Sequence, residues 1–225
     1  MRKHIDKIFV SKEDECMQRK ELSKAVLKRL PGYLAYLKGL PEDAPTHISA
    51  TSIANALCMG EVQVRKDLAV VSKAGKPKIG YPKEDLIENI SRYLCYDNTT
   101  DAILVGAGKL GQALLGYSGF EAYGLNILAA FDAAPAVDSV DGKPVYPMDK
   151  LEKYCLDHNV HMGIITVPKD HAQQVCDRLI ACGIKAVWNF APVHLDVPQH
   201  TLVQNENMAT SLAVLSMHLQ AQMKI

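Results

Sequence analysis

No stretch of this chain stays apolar long enough to cross a bilayer, and its first residues, MRKHIDKIFVSKEDECMQRK, hold no hydrophobic core of the signal-peptide kind. Both absences predict a cytoplasmic location. The six cysteines (Cys16, Cys58, Cys95, Cys155, Cys176 and Cys182) include no C-x-x-C pair and no pairing with histidine of metal type. Most read as reduced, small core residues, a redox-reactive thiol being the lesser reading, and no metal site is expected. The eight histidines are scattered, and His158 and His161, near a helix end, suit solvation or capping better than ligation. There is no internal repeat and no low-complexity segment. Hydrophobic content of 48% and charged content of 22% are ordinary for a globular protein, and 225 residues leave room for one large or two small domains. Net charge is zero, which alone argues against a nucleic-acid partner.

That average conceals an asymmetry. Residues 1–94 hold 17 Lys/Arg against 12 Asp/Glu, a balance of +5, and residues 95–225 hold 8 against 13, or −5. A basic half beside an acidic one points to a surface dedicated to one partner, or more plainly to a solvated charged face. Residues 1–20 are charge-rich and read as a loose extension or a short helix. From Leu22, the apolar positions Leu22, Val26, Leu30, Tyr33 and Leu37 recur at helical spacing, with Pro31-Gly32 as an expected kink or interruption. In ISATSIANALCMGEVQVRKDLAVVSKAG, Ser49 or Thr51 can cap a short helix and Cys58-Met59-Gly60 makes a tight turn in which Gly60 relieves the bend. A second helix runs from Glu61 to Ser72 with Val64, Leu68 and Val71 inward and Gln63, Arg65, Lys66 and Asp67 on or near its outer face. This is a helix-turn-helix pattern, and Gly75-Lys-Pro-Lys-Ile-Gly-Tyr81 after it reads as a glycine-bounded wing. Ser49, Gln63, Arg65, Lys66, Lys73, Lys76 and Lys78 are the candidate DNA contacts, the lysines and arginine for phosphates on both sides of a groove. An αα-hairpin in a plain helical domain is the alternative.

The second half opens on DAILVGAGKLG. An apolar run ends at Gly106, the glycines Gly106, Gly108 and Gly111 follow the G-x-G-x-x-G spacing, and Asp132 closes the next apolar run, NILAAFD. Gly106 allows the tight turn, Gly108 lets the backbone approach a pyrophosphate, and Gly111 lets the helix pack on the sheet; Ala107, Lys109 and Leu110 complete the loop and helix start. Asp132 would accept hydrogen bonds from the adenosine ribose. With Ala133-Ala-Pro135 offering no Arg for a 2′-phosphate, NAD(H) is favoured over NADP(H). Strand and helix patterns then alternate: a helix around Met148–Asp157, a strand from His161 to Val167, a helix from Asp170 to Ala181 and a strand from Lys185 to Phe190, near which the fold is expected to end. Thr166-Val167-Pro168 and Asn189-Phe190-Ala191-Pro192 lie at carboxyl ends of strands, where either could line a nicotinamide pocket or simply end a strand. From Asn207 the residues Met208, Leu212, Leu215, Leu219 and Met223 form an apolar helical stripe that must be buried on its own subunit or on another.

In this order the elements resemble Rex-type redox-sensing transcriptional repressors. The marks are QVRKDL at Gln63–Leu68, Gly80-Tyr81, VGAGKLGQALLGY at Val105–Tyr117, AAFD ending at Asp132, TVP at Thr166, NFAPVHLDVP at Asn189–Pro198 and VLSMHL near the end. The resemblance implies an α/β chain in three parts. These are a winged helix-turn-helix DNA-binding domain (1–94), a Rossmann-like parallel-sheet NAD(H)-binding domain (95–205) and a C-terminal helix swapped in a homodimer (206–225). It also implies a role for Tyr117 in the cofactor site, double-stranded operator DNA as partner, release by NADH, and no catalysis. Similar proteins usually carry Arg and Asp where this chain has Ala35 and Asn207, Ser-Tyr-Phe-Gly where it has Ala69-Val-Val-Ser72, and Arg-Gly where it has Pro77-Lys78. A lost ion pair would weaken or reset the response. A small NAD-dependent oxidoreductase with a helical appendage, or a CoA- or nucleotide-binding subunit, are the alternatives, although no His-Asp or Tyr-Lys constellation for proton transfer is evident.

Overall fold

Ser23 opens the first helix by accepting a hydrogen bond from the Val26 N–H, and the helix, α1 (Lys24–Lys38), runs on to Gly39. The computed structural model describes residues 23–96 and 98–223; the expected extension at 1–20 lies outside them. The chain divides into two units, Met1–Asp97 and Asn98–Ile225.

In the first unit, α1 runs through Pro31 without the interruption the sequence allowed for. Proline there removes one backbone hydrogen bond and costs about 3 kcal/mol. Leu30, Tyr33, Leu34 and Leu37 are fully buried on the same face, and at roughly 1.5–3 kcal/mol each their packing outweighs that cost. The chain continues through β1 (His47–Ile48), α2 (Ala50–Ala56), α3 (Glu61–Val71), β2 (Tyr81–Pro82) and α4 (Lys83–Tyr93). Ile48 pairs with Tyr81 in the β1–β2 ladder, and a Lys76–Gly80 bridge closes the wing. Ile53, Val64, Leu68, Leu86 and Ile90 fill one core with α1. The bend between α2 and α3 is made differently from expectation. Cys58 takes the left-handed conformation (φ 51°), while Gly60 has an ordinary φ of −71° and serves as N-cap of α3.

The second unit is a seven-stranded sheet built from β3 (Thr100–Val105), β4 (Leu125–Asp132), β5 (Ser139–Val140), β6 (Lys143–Pro147), β7 (Met162–Ile165), β8 (Ala186–Asn189) and β9 (Leu202–Asn205). Its order is β5-β6-β4-β3-β7-β8-β9, parallel throughout except for the β5–β6 hairpin. Both faces are covered, so β3 is apolar at successive positions. Ile103 and Val105 face α6 (Leu151–His158) and α7 (Lys169–Ala181), whereas Ala102 and Leu104 face the side of α5 (Lys109–Leu115). The chain leaves β3 toward β4 and returns past it to β7. That reversal opens a crevice beyond the carboxyl ends of β3 and β7. Strand β9, unanticipated, extends the sheet beyond Asn189. Helix α8 (Met208–Met223) follows, exposed along its whole length.

Candidate functional site

The crevice is a cleft of about 380 Å³. Of the expected cofactor residues it brings together Gly106, Gly108, Asp132, Thr166, Val167 and Pro168. Gly106 sits at φ +105°, in the region that favours glycine, and a Cβ there would press on Thr166. A Cβ on Gly111 would collide with the Gly106 carbonyl oxygen, so the third glycine sets how closely α5 approaches the loop. Gly108, by contrast, faces open space, and as N-cap of α5 it supplies no side chain to satisfy the helix's first N–H groups. Bare backbone donors beside an open glycine suit a pyrophosphate.

Thr166 donates its hydroxyl to the Gly106 carbonyl (2.7 Å), which clamps the end of β7 to the loop. Asp132 accepts from the Ala107 N–H (2.7 Å) and the Ala134 N–H (2.9 Å). The carboxylate is thus fixed at the cleft edge, with further lone-pair positions left for ribose hydroxyls. Ala107 is itself buried, and its N–H is spent on Asp132 instead of pointing at a ligand. Lys109 and Leu110 are exposed on the first turn of α5, and Tyr117, also exposed, packs edge-on against Phe120.

The segment Asn189–Pro192 does not line this cleft. Asn189 is fully buried; its amide donates to the carbonyls of Ala191 and Val193 and to Asn205 Oδ1, and its carbonyl accepts from the Ala191 N–H. These bonds shape the loop and tie it to β9. Phe190 packs on Trp188, and Ala191 and Pro192 border a separate depression with His194 and Asn207. Asn207 accepts from the Thr210 N–H at the start of α8.

The sequence reading missed one wall of the cleft. His171, Gln174, Val175 and Arg178 line it from α7, together with Met148. Their i, i+3, i+4, i+7 spacing was visible as one helix face. Arg178 is held by Glu152 (2.6 and 3.0 Å) and by the Met148 carbonyl (2.8 Å), and its hydrogen bonding holds the Glu152 carboxyl below the usual range.

In the first unit a second cleft, of about 490 Å³, gathers Ser49, Arg65, Lys76 and Lys78 between α2, α3 and the wing. Ser49 caps α2 through the Ser52 N–H (2.9 Å), and Arg65 pairs with Glu61 on its own helix. Lys66 and Lys73 are exposed but outside this cleft. Asp67 overturns its expected outward placement. It is 1% exposed and accepts from Arg29 (2.7 and 2.9 Å), Tyr33 (2.7 Å) and Gln63 (2.8 Å), tying α3 to α1. Gln63 remains exposed, with one amide proton committed to Asp67. Among the described residues no His/Cys/Asp/Glu group could hold a metal ion, and no helix is long and apolar enough to cross a membrane.

Two family models match: "CoA binding domain" over residues 97–193 and "Putative DNA-binding protein N-terminus" over residues 21–69. A redox-sensing transcriptional repressor Rex from Treponema denticola is 38% identical over 198 residues, covering 87% of this chain and 94% of the relative. The crystal structure of RSP with β-NAD+ and operator DNA superposes with a TM-score of 0.82 at 34% identity, covering 90% of this chain and 94% of that one. RSP with β-NADH gives 0.80 at 33%, covering 90% and 96%.

Proposed function

The chain belongs to the Rex family of redox-sensing transcriptional repressors, and from that premise we propose how its parts divide the work. It represses transcription by binding operator DNA and is released by NADH, with NAD(H) acting as effector and not as a reactant. The observation that supports this most is the coexistence of two unlike clefts. One is lined by Arg65, Lys76 and Lys78 beside a recognition helix, and the other has open Gly108 and anchored Asp132 beyond a parallel sheet. A nucleotide site alone would suit a dehydrogenase or a CoA-binding subunit; the basic helix-turn-helix does not.

Residues 1–94 read DNA through Gln63, Arg65 and Lys66 in the groove, with Ser49, Lys73, Lys76 and Lys78 on phosphates. Residues 95–205 hold the cofactor. The N–H groups at the start of α5 take the pyrophosphate, Asp132 the adenosine ribose, and Thr166–Pro168, Tyr117 and the Asn189–Pro192 loop shape the nicotinamide end. Residues 206–225 join two copies, which would bury the apolar surface of α8, and the protein works in the cytoplasm. An operator with two half-sites then matches a two-fold dimer. The cofactor can release DNA only through a difference in its affinity for two dimer states.

Titration of NADH and of NAD by fluorescence, with and without operator DNA, tests this. NADH should lower DNA affinity by roughly 5- to 150-fold, and DNA should lower NADH affinity by the same factor. Equal DNA affinity with and without saturating NADH would refute it.

A further inference from the structure

The end of the cleft assigned to the adenosine ribose holds a cation that the local sequence around Asp132 does not supply. Asp132 pairs with Pro147 across the β4–β6 ladder, and the carbonyl of the next residue, Met148, accepts a hydrogen bond from Arg178 Nη2 at 2.8 Å. Neighbouring strands lie about 4.8 Å apart, so this bond holds the guanidinium one strand over from the Asp132 carboxylate. Among the described residues that line the cleft, Arg178 is the one Lys or Arg. Its Nε (3.0 Å) and Nη2 (2.6 Å) both donate to Glu152 Oε1 on α6. The pair is 37% and 50% exposed, so it adds little to stability. Its effect falls on what Arg178 can still bind. A guanidinium forks onto a phosphate through Nε with Nη2 or through Nη1 with Nη2. Both Nη2 protons are spent, one on Glu152 and one on Met148, so neither fork is open.

We propose that Glu152 is a positioning residue for cofactor choice: it occupies the fork of Arg178 that would otherwise take a 2′-phosphate, so the site accepts NADH and refuses NADPH. The inference rests on the assignment of this cleft to NAD(H). An Arg beside the adenosine ribose is the group that accommodates a 2′-phosphate, and a carboxylate in its place is the group that excludes one. Here both are present, and the outcome turns on which partner the Arg already has. With Glu152 in contact, the guanidinium charge is balanced, and a 2′-phosphate would meet two carboxylates, Asp132 and Glu152, against one cation. Discrimination is then shared: Asp132 repels the phosphate directly and Glu152 withholds the cation. Removing Glu152 would free Nε and one Nη2 proton together, while the Met148 carbonyl still holds the guanidinium beside the cleft.

The test titrates NADH and NADPH separately into the full-length protein and reads the ratio of the two affinities. Glu152→Ala should move that ratio toward NADPH by roughly 10- to 100-fold, the worth of one recovered hydrogen bond to a charged group. Glu152→Gln, which keeps the shape and loses the charge, should move it the same way by less. Adding Asp132→Ala to Glu152→Ala should move it further, and adding Arg178→Met instead should return it to the value of the unsubstituted protein. A merely structural role for Glu152 would weaken both cofactors alike and leave the ratio in place. If the unsubstituted protein binds NADH, an unmoved ratio in Glu152→Ala, or a gain that survives the loss of Arg178, overturns this inference and leaves the cofactor assignment standing. No NADH binding by the unsubstituted protein overturns both.

Discussion

Replacing Asp67 with Ala deletes the acceptor on which four hydrogen bonds converge from α1 and α3. Removing one partner of a buried ion pair costs about 3–5 kcal/mol, since the other charge is left uncompensated. Arg29 retains 24% exposure and can regain some water, so the lower end, about 3 kcal/mol, applies. Tyr33, with no exposure, loses its acceptor without that relief. For a unit of this size 1 kcal/mol moves the midpoint by about 4–8 °C, so a fall of roughly 12 °C or more is expected. The chain carries its own control, because its one tryptophan, Trp188, lies on β8 of the other unit. Far-UV circular dichroism should report an early transition in Asp67→Ala while Trp188 fluorescence stays near its original midpoint. The Arg29→Ala/Asp67→Ala double variant should lose less than the two single losses together, since the second change no longer strands a charge. A single-variant shift under 3 °C, or strict additivity in the double, would refute the reasoning. The same network sets a pH dependence. Burial pushes the Asp67 carboxyl up, but hydrogen bonds from Arg29, Tyr33 and Gln63 outweigh it and hold the carboxyl below its usual range. A depressed folded value means the unfolded chain binds the proton more readily. This stabilisation is therefore complete above about pH 3.9 and fades as pH falls through the folded value.

Asp132→Ala should weaken NADH binding and narrow the preference for NADH over NADPH, since it frees the Ala107 N–H and removes the charge that repels a 2′-phosphate; equal affinities in the unsubstituted protein would sink the assignment. Arg65→Ala with Lys66→Ala should weaken operator binding, by about 1–3 kcal/mol for each lost base contact, and leave NADH affinity nearly intact in the same fluorescence titration. Gly108→Ala should keep the unfolding midpoint but lose NADH affinity, whereas Gly111→Ala should lower the midpoint itself; the reverse pattern by calorimetry would place the ligand elsewhere. Deleting residues 206–225 should give monomers by sedimentation and abolish tight operator binding without altering the recognition helix.

What the sequence disclosed was local chemistry. The glycine loop, the strand before it and Asp132 follow from spacing within one βα unit, and the wing from two glycines around a basic tip. Asp67 was misread because it sits between Lys66 and Leu68 at the border of the buried stripe, and its partner Arg29 is distant in sequence. The bonding of Asn189 was hidden for a similar reason: its partner Asn205 arrives from β9 only in the fold. Strand β9 itself, Leu202–Asn205, is a short edge strand with mostly exposed side chains, so it lacks the apolar run that revealed β3, β4 and β7. The cleft wall on α7 was legible as a face, but only the sheet order shows which way that face turns.

The C-terminal helix is where the single chain falls short of explaining itself. Met208, Leu212, Leu215, Met217, Leu219 and Met223 are each more than half exposed, and residues 208–223 contain no Asp, Glu, Lys or Arg. Each such side chain stands to gain about 1.5–3 kcal/mol on full burial, while an isolated helix of this length is marginal in water. If α8 pairs two copies as proposed, helix formation and association are one equilibrium. Asn207, just before the helix, borders the same depression as the loop Ala191–His194 that follows Asn189. In the proposed dimer, a ligand that shifted that loop would bear on the start of α8.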